Sequence, residues 1–294
     1  EVAEETVTGA EVLTVDKGRN YTVLINEFLD AHGVKKLGIE DNYMSLSQYN
    51  FLKKELHAEL VYAGGLVTGL RAAKDEEEFA RMVKAQEITD RAFTEICKFI
   101  QPGVTEQEIA AKLVYDMMRF GAHKTSFDPI VASGPHAPIL HWMRNTGVVK
   151  TGDMLLVDAG VEVDSLYTAD ITRTFPTNGK FTDFQKRLYQ AVLDSQQAGF
   201  EAAKPGATYS DIHHACMRVI AERLHDWGLL PVSVEESLSP QGQQHRRWLA
   251  CGVAHHLGLD VHDCAQARYE SYQGAKITPG MIFTIEPGLY FREH

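Results

Sequence analysis

The chain has 294 residues, 44% of them hydrophobic and 23% charged, with a formal net charge of −11 at pH 7. This is the composition of a soluble globular protein long enough for one large core, or for a small domain beside a larger one. The acidic balance repels phosphates and excludes a nucleic-acid or anionic-membrane partner. No apolar run approaches the roughly 20 residues of a membrane span, and the start, Glu1-Val2-Ala3-Glu4-Glu5, lacks the basic-then-apolar pattern of a secretory signal.

Residues 1–72 read as a small, incomplete α/β domain. The segment YTVLINEFLDAHG (21–33) predicts a helix with Val23, Leu24, Glu27, Phe28 and Ala31 near the helical period and Gly33 as its stop. KLGIE (36–40) predicts a strand, SLSQYNFLKKEL (45–56) a helix opened by Ser45 or Ser47, and AELVYA (58–63) another strand. Gly64-Gly65 and the LRAAK that follows at 70–74 read as a linker.

Longer elements begin at Asp75, which forms a capping box with Glu78. Phe79, Met82, Val83, Ala85, Phe93, Ile96 and Ile100 supply the apolar face of a helix that Pro102-Gly103 ends. A second helix starts at Thr105, boxed by Glu108, and runs to about Phe120. The same pattern returns 103 residues later, where KPGATYSDIHHACMRVIAERL (204–224) matches QPGVTEQEIAAKLVYDMMRFG (101–121). Long helices precede both copies, over 76–100 and 182–203, so a duplicated α/β half is expected, with a cleft where the halves meet.

The four cysteines, Cys97, Cys216, Cys251 and Cys264, are too scattered for a disulfide framework and fit a reducing cytoplasm. Cys251 and Cys264 bracket a histidine cluster, which keeps a mononuclear zinc site built on Cys251 and His255 as one reading. Against it, the chain has no close cysteine pair.

The chemistry concentrates in three stretches, 154–176, 252–263 and 281–291. MLLVDAG carries Asp158 at the end of an apolar run, and twelve residues later Asp170 sits in YTADITRTFP. MIFTIEPGLYF holds the single acid Glu286 among apolar neighbours, and GVAHHLGLDVHD holds His255, His256 and His262. Carboxylates enter apolar strands only with a cation or hydrogen-bond partners. Taken singly, Asp158 and Asp170 each read better as turn caps, whereas Glu286 reads better as an acid held for a metal or a proton transfer than as a surface residue. Together with His255, and with His262 and His141 nearby, they form a carboxylate-rich, single-imidazole set suited to divalent Mn, Co, Fe or Zn. Several carboxylates able to span two ions favour a pair of metals over one.

The order Asp158, Asp170, His255, Glu286, with the strings DAG, DITRTFP, HHLGLDVHD and TIEPGLY, resembles the pita-bread metallopeptidases, specifically their aminopeptidase P and prolidase branch. The resemblance covers about 75–294, and the N-terminal unit is similar to part of that branch's creatinase/prolidase-type domain. It implies an α+β protein: a pita-bread fold with pseudo-twofold duplicated α/β halves as the catalytic domain, 73–294, preceded by the partial α/β domain, 1–72. It implies two divalent ions, Mn2+ first, with Co2+, Zn2+ or Fe2+ as alternatives. Asp158 would chelate one ion, Asp170 bridge both, His255 bind the other, and Glu286 bind at the same site and shuttle a proton. His141 and His262 would steady the scissile carbonyl. His256 would be packing, and Asp260 and Asp263 structural.

The implied activity is hydrolysis of the Xaa-Pro bond at the N-terminus of a proline-containing peptide, in a protein that self-associates. The alternatives are an Xaa-Pro dipeptidase, or a non-catalytic binding module or inactive fragment. Two departures from the family pattern stand out. Asp158 and Asp170 are one residue further apart than usual, which a bulge or longer turn would absorb. The family's fifth ligand is a glutamate on a strand beyond the one matching Glu286, and the chain ends at His294 before reaching it, so a C-terminally truncated domain is expected.

Overall fold

Alternating helical and extended segments produce two units, Glu1–Val67 and Thr68–His294, in a computed structural model that describes residues 2–40, 43–249, 251–264 and 274–292. The first unit opens with a short helix, α1 (Val2–Thr6), followed by α2 (Tyr21–Ala31). The Asn20 side chain starts α2 by accepting from the amides of Thr22 and Val23. The helix buries Thr22, Leu24 and Leu29, whereas Val23 and Phe28 of the expected apolar face are exposed. A two-stranded sheet has little area with which to cover a helix, so only a narrow stripe is buried. That sheet pairs β1 (Lys36–Ile39) with β2 (Glu59–Tyr62) in parallel, with α3 (Leu46–Glu55) as the crossover. Of the two candidate caps for α3, Ser45 is the one used, in a box with Gln48. Asn26 clasps the unit, donating to Glu55 O at 2.8 Å and accepting from His57 N at 2.9 Å. The expected linker is helical over α4 (Leu66–Arg71).

In the second unit, α5 (Glu76–Phe99) and α6 (Glu106–Arg119) begin at the predicted boxes, Asp75 with Glu78 and Thr105 with Glu108. Met82, Ala85, Ile88, Ala92, Phe93 and Ile96 form the buried stripe of α5, while Phe79 and Val83 stay exposed at its edge. Two short strands, β3 (Lys124–Thr125) and β6 (Val161–Glu162), pair with each other. The main sheet is antiparallel, in the order β4 (Ile130–Ser133), β5 (Met154–Ala159), β7 (Ile171–Pro176). Leu155, Val157 and Ala159 of β5 point into the core shared with α5 and α6. The alternate positions, Met154, Leu156 and Asp158, face the other way and are half-buried.

The second half repeats this plan with α7 (Asp183–Ala202) and α8 (Tyr209–Asp226), boxed by Thr182 with Gln185 and Thr208 with Asp211, and a short α9 (Val234–Leu238) beyond them. The repeat extends to individual backbone bonds. Gly103 N donates to Val149 O, and Val149 N to Val104 O; in the second half Gly206 N donates to Ile277 O, and Ile277 N to Ala207 O. Both turn glycines have a left-handed φ, +97° and +93°. Likewise Ser133 pairs with Leu155, and His256 with Phe283. The expected duplication therefore extends from the helices to the pairing of β4 with β5, which residues 253–257 and 282–286 match in the second half.

Candidate metal centre

Asp158 leaves β5 on the face away from the helices. Its cross-strand partner on β7 is Thr172, and because side chains alternate, Asp170, two residues before Thr172, belongs to that face too. The two aspartates thus lie diagonally across one antiparallel pair, although Asp170 precedes β7 and the intervening residues form β6 and a turn at 163–167. That turn is closed by Leu166 N donating to Val163 O, with Leu166 at φ +69°.

The second half supplies the other two groups. Residues 253–257 run antiparallel to 282–286, with Thr284 N donating to His255 O at 2.9 Å and Glu286 N to Val253 O at 2.8 Å. This pairing places His255 Nε2 3.3 Å from Asp170 Oδ2 and 3.0 Å from Glu286 Oε1. The Thr284 hydroxyl donates to the same Glu286 oxygen at 2.8 Å. On the far side of the ring, His255 Nδ1 lies 3.0 Å from His256 O. That carbonyl can only accept, so it fixes the proton on Nδ1 and directs Nε2 at the carboxylates.

The electrostatics are those of acids crowded without enough positive charge. Burial, then the Asp170 charge, push the Asp158 carboxyl up to about 8, with Thr172 hydrogen bonding offsetting part of this. His255 moves the other way: burial opposes its charge, but the bonds to Asp170 and Glu286 outweigh it and raise the imidazole to about 10. Glu286, 41% accessible, is lowered: burial opposes its charge, and the hydrogen bond and charge of His255 prevail. His262 stands edge-on to His255, ring centroids 4.4 Å apart, and is depressed by burial and then by the His255 charge. His141 is within electrostatic reach of His262, whose proton affinity it also lowers.

Among the described residues no three histidine, cysteine or carboxylate side chains stand ready-formed around a cation position. The His255 proton fills that role between Asp170 and Glu286. Two observations fit these residues to a divalent ion nonetheless. Asp158 Oδ1 is buried without a hydrogen-bond partner, an arrangement costly for a carboxylate unless a cation meets it. The donor set of three carboxylates and one oriented imidazole suits borderline-to-hard divalent metals.

Residues 80–294 match the model of metallopeptidase family M24, and residues 1–73 that of the creatinase/prolidase N-terminal domain. The chain belongs to metallopeptidase family M24. Xaa-Pro aminopeptidase 1 of Streptomyces coelicolor is 46% identical over 223 residues, 76% of this chain and 45% of that protein. Among solved structures, an X-Pro aminopeptidase from Thermotoga maritima superposes with a TM-score of 0.81 at 28% identity, over 99% of this chain and 76% of that one. An Xaa-Pro dipeptidase from Bacillus anthracis does so with a TM-score of 0.76 at 30% identity, over 91% and 69%. This M24 chain has the pita-bread fold and spans about half the length of the curated relatives it matches.

Of the six residues singled out from the sequence of this M24 protein, Asp158, Asp170, His255 and Glu286 converge directly. His262 joins by ring contact. His141 stands on the loop after β4, linked to the others through His262. His256 is fully buried against Tyr209 and Phe283, with burial lowering it to about 4. Asp263 is buried between Arg71 and Lys74, and Asp260 pairs with Arg71 at the surface. Sequence reasoning overlooked Thr172 and Thr284. Thr172 supports Asp158 from across the strand pair, and Thr284 supports Glu286 from two residues before it; a period-2 reading of both segments puts Thr172 on the face of Asp170 and Thr284 on that of Glu286.

Proposed function

We propose that the chain carries the catalytic domain of an Xaa-Pro aminopeptidase, a metal-dependent exopeptidase that removes the residue preceding proline at a peptide N-terminus. The observation that carries this reading is the convergence of Asp170 and Glu286 on the oriented Nε2 of His255, with the buried Asp158 interacting with both of those acids. In this assignment residues 1–72 form the N-terminal domain and 73–294 the catalytic one. Asp158, Asp170, His255 and Glu286 would together hold a pair of divalent ions. The carboxylate-rich set favours manganese. Four free thiols, two of them buried, support a reducing, cytoplasmic setting.

The metal pair supplies, when bound, a water acidified enough to attack near neutral pH. The remaining work falls to side chains. Glu286 is more open than Asp170, and Thr284 occupies one lone-pair direction of its Oε1. It is thereby placed to take a proton and deliver it to the leaving prolyl nitrogen. His262, whose proton affinity burial lowers, and His141 offer N–H groups to the scissile carbonyl, where negative charge develops.

The test is release of the first residue from an Xaa-Pro-Yaa tripeptide with Mn2+, with an Xaa-Pro dipeptide and the Asp170→Ala variant alongside and bound metal counted in each. Cleavage of the tripeptide that disappears with Asp170→Ala is expected. Preference for the dipeptide would replace this reading with a prolidase, the activity named for the Bacillus anthracis neighbour. One ion or none, with neither peptide cut, would overturn it in favour of a binding module.

A further inference from the structure

Glu106 is a completely buried carboxylate that the chemistry above does not use. It sits in the first turn of α6, where the helix N-terminus favours an anion. Its Oε1 accepts from Ser133 N at 2.8 Å, Ser133 Oγ at 2.9 Å and His136 Nδ1 at 2.8 Å. Its Oε2 accepts from Trp142 Nε1 at 2.9 Å and Gly147 N at 2.7 Å. Gly147 O accepts in return from Glu106 N at 2.9 Å. Burial works against the charge, but these bonds prevail and hold the carboxyl below its ordinary range.

All of these donors come from one segment, 133–147, and His141 lies inside it. His141 has a left-handed φ of +55°, a conformation that persists only where the surroundings impose it. Its neighbour Trp142 is fixed on two sides, by the bond to Glu106 and by stacking on His136 with centroids 3.9 Å apart. The other half has a parallel arrangement. His262 follows strand-like residues 253–257 as His141 follows β4, and the neighbouring Asp263 is buried between Arg71 and Lys74. Each histidine loop is anchored by its own buried carboxylate.

We infer that Glu106 is a positioning residue for the proposed reaction: by gathering the 133–147 loop it sets where His141 meets the substrate. This rests on the reading of His141 as substrate-facing. Glu106→Gln keeps the shape but turns one acceptor oxygen into an amide donor, which faces either the Ser133 and His136 donors or those of Trp142 and Gly147. Half of the clamp is lost whichever way the amide turns.

The experiment pairs kinetics with an activity-independent signal. Glu106→Gln and His141→Ala should each lower kcat/KM by on the order of 10–100-fold, the scale of a small misplacement at a reacting centre. They should share one division between kcat and KM, their losses should not multiply in the double variant, and bound metal should match wild type. Independently, the His141 ring resonance, assigned by its disappearance in His141→Ala, should shift or broaden in Glu106→Gln. Multiplicative losses, or an unmoved His141 resonance, would overturn the inference. Where the unsubstituted chain cuts neither peptide, the proposed function falls by itself and the resonance alone decides the role of Glu106. If Glu106→Gln does not fold, Trp142→Phe, which deletes one donor and keeps the ring, takes its place with the same outcomes.

Discussion

Asp158 and Glu286 occupy the same place in the two halves of the molecule. Each lies six positions beyond a left-handed glycine, Gly152 at φ +88° and Gly280 at φ +87°, on a strand whose partner pairs in the same register: Ile130 opposite Asp158, and Val253 bonded to Glu286. The pseudo-twofold thus brings one acid from each half to the centre. Their surroundings differ. Asp158 has a buried oxygen without a hydrogen-bond partner, whereas Glu286 has Thr284 and His255 on Oε1. Asp158→Asn should therefore weaken metal binding at least tenfold, the scale on which even supporting groups act. Glu286→Gln, still supported by Thr284, should abolish turnover while retaining more metal. Metal titration followed by atomic emission checks this, and equal loss of metal in both variants would contradict it.

Removing metal should make stability fall as pH rises. Asp158 is raised from 3.8 to about 8 and His255 from 6.5 to about 10, so the folded, metal-free chain binds more protons than the unfolded one across that range. Linkage then lowers stability with increasing pH. The His255 contribution is fully present below 6.5 and lost through about 10, while Asp158 becomes progressively costly between 3.8 and about 8. In the proposed assignment added Mn2+ should replace those protons, so the gap between metal-loaded and chelated unfolding temperatures should widen with pH. A gap that narrows over the same range would show that these groups do not share the metal's place.

The equivalent glycines give a third comparison. Alanine at either position meets left-handed strain of about 1–2 kcal/mol. At Gly152 a new Cβ would meet nothing within 4 Å, but at Gly280 it would lie 2.6 Å from Lys74 O, a backbone atom. Gly280 O also accepts from Lys74 N at 2.8 Å, so relief there would displace a bonded segment. Gly280→Ala should accordingly lower the thermal unfolding temperature distinctly more than Gly152→Ala.

Much of this was legible in the chain itself, for reasons that are local. Capping boxes such as Asp75 with Glu78 and Thr105 with Glu108 put both partners within one turn, and an acid in an apolar strand stands out wherever its partner lies. Glu106 did not stand out. It reads as a solvated first-turn acid beside the true box residue, and its partners lie 27 to 41 positions away. Only its counterpart in the other half, Tyr209, similarly buried at the start of α8, marks that position as inward-facing. The apolar faces expected to include Phe28 and Phe79 failed for a related reason. Periodicity gives a stripe, but the area available to cover it is set by elements far along the chain.

The loop carrying His262 rests on an ion cluster, and its energetics can be separated from ordinary surface pairing. Asp263 bonds Lys74 at 3.0 Å, with the two side chains 1% and 2% accessible, and also pairs with Arg71. Asp260 meets the same Arg71 at 2.8 Å but is 56% accessible. Removing one member of a buried pair leaves the other charge without compensation and costs about 3–5 kcal/mol, whereas an exposed pair contributes about 0–1 kcal/mol. Asp263→Ala should therefore lower the unfolding temperature by roughly 10 °C, and Asp260→Ala should leave it nearly unchanged. Because Asp263 N also donates to His256 O at 2.9 Å, the acceptor that orients His255 Nδ1, the first substitution should weaken metal binding and the second should not. Similar thermal shifts in the two variants would mean that water reaches Lys74 when Asp263 is gone, and that the cluster does not brace the histidine loop.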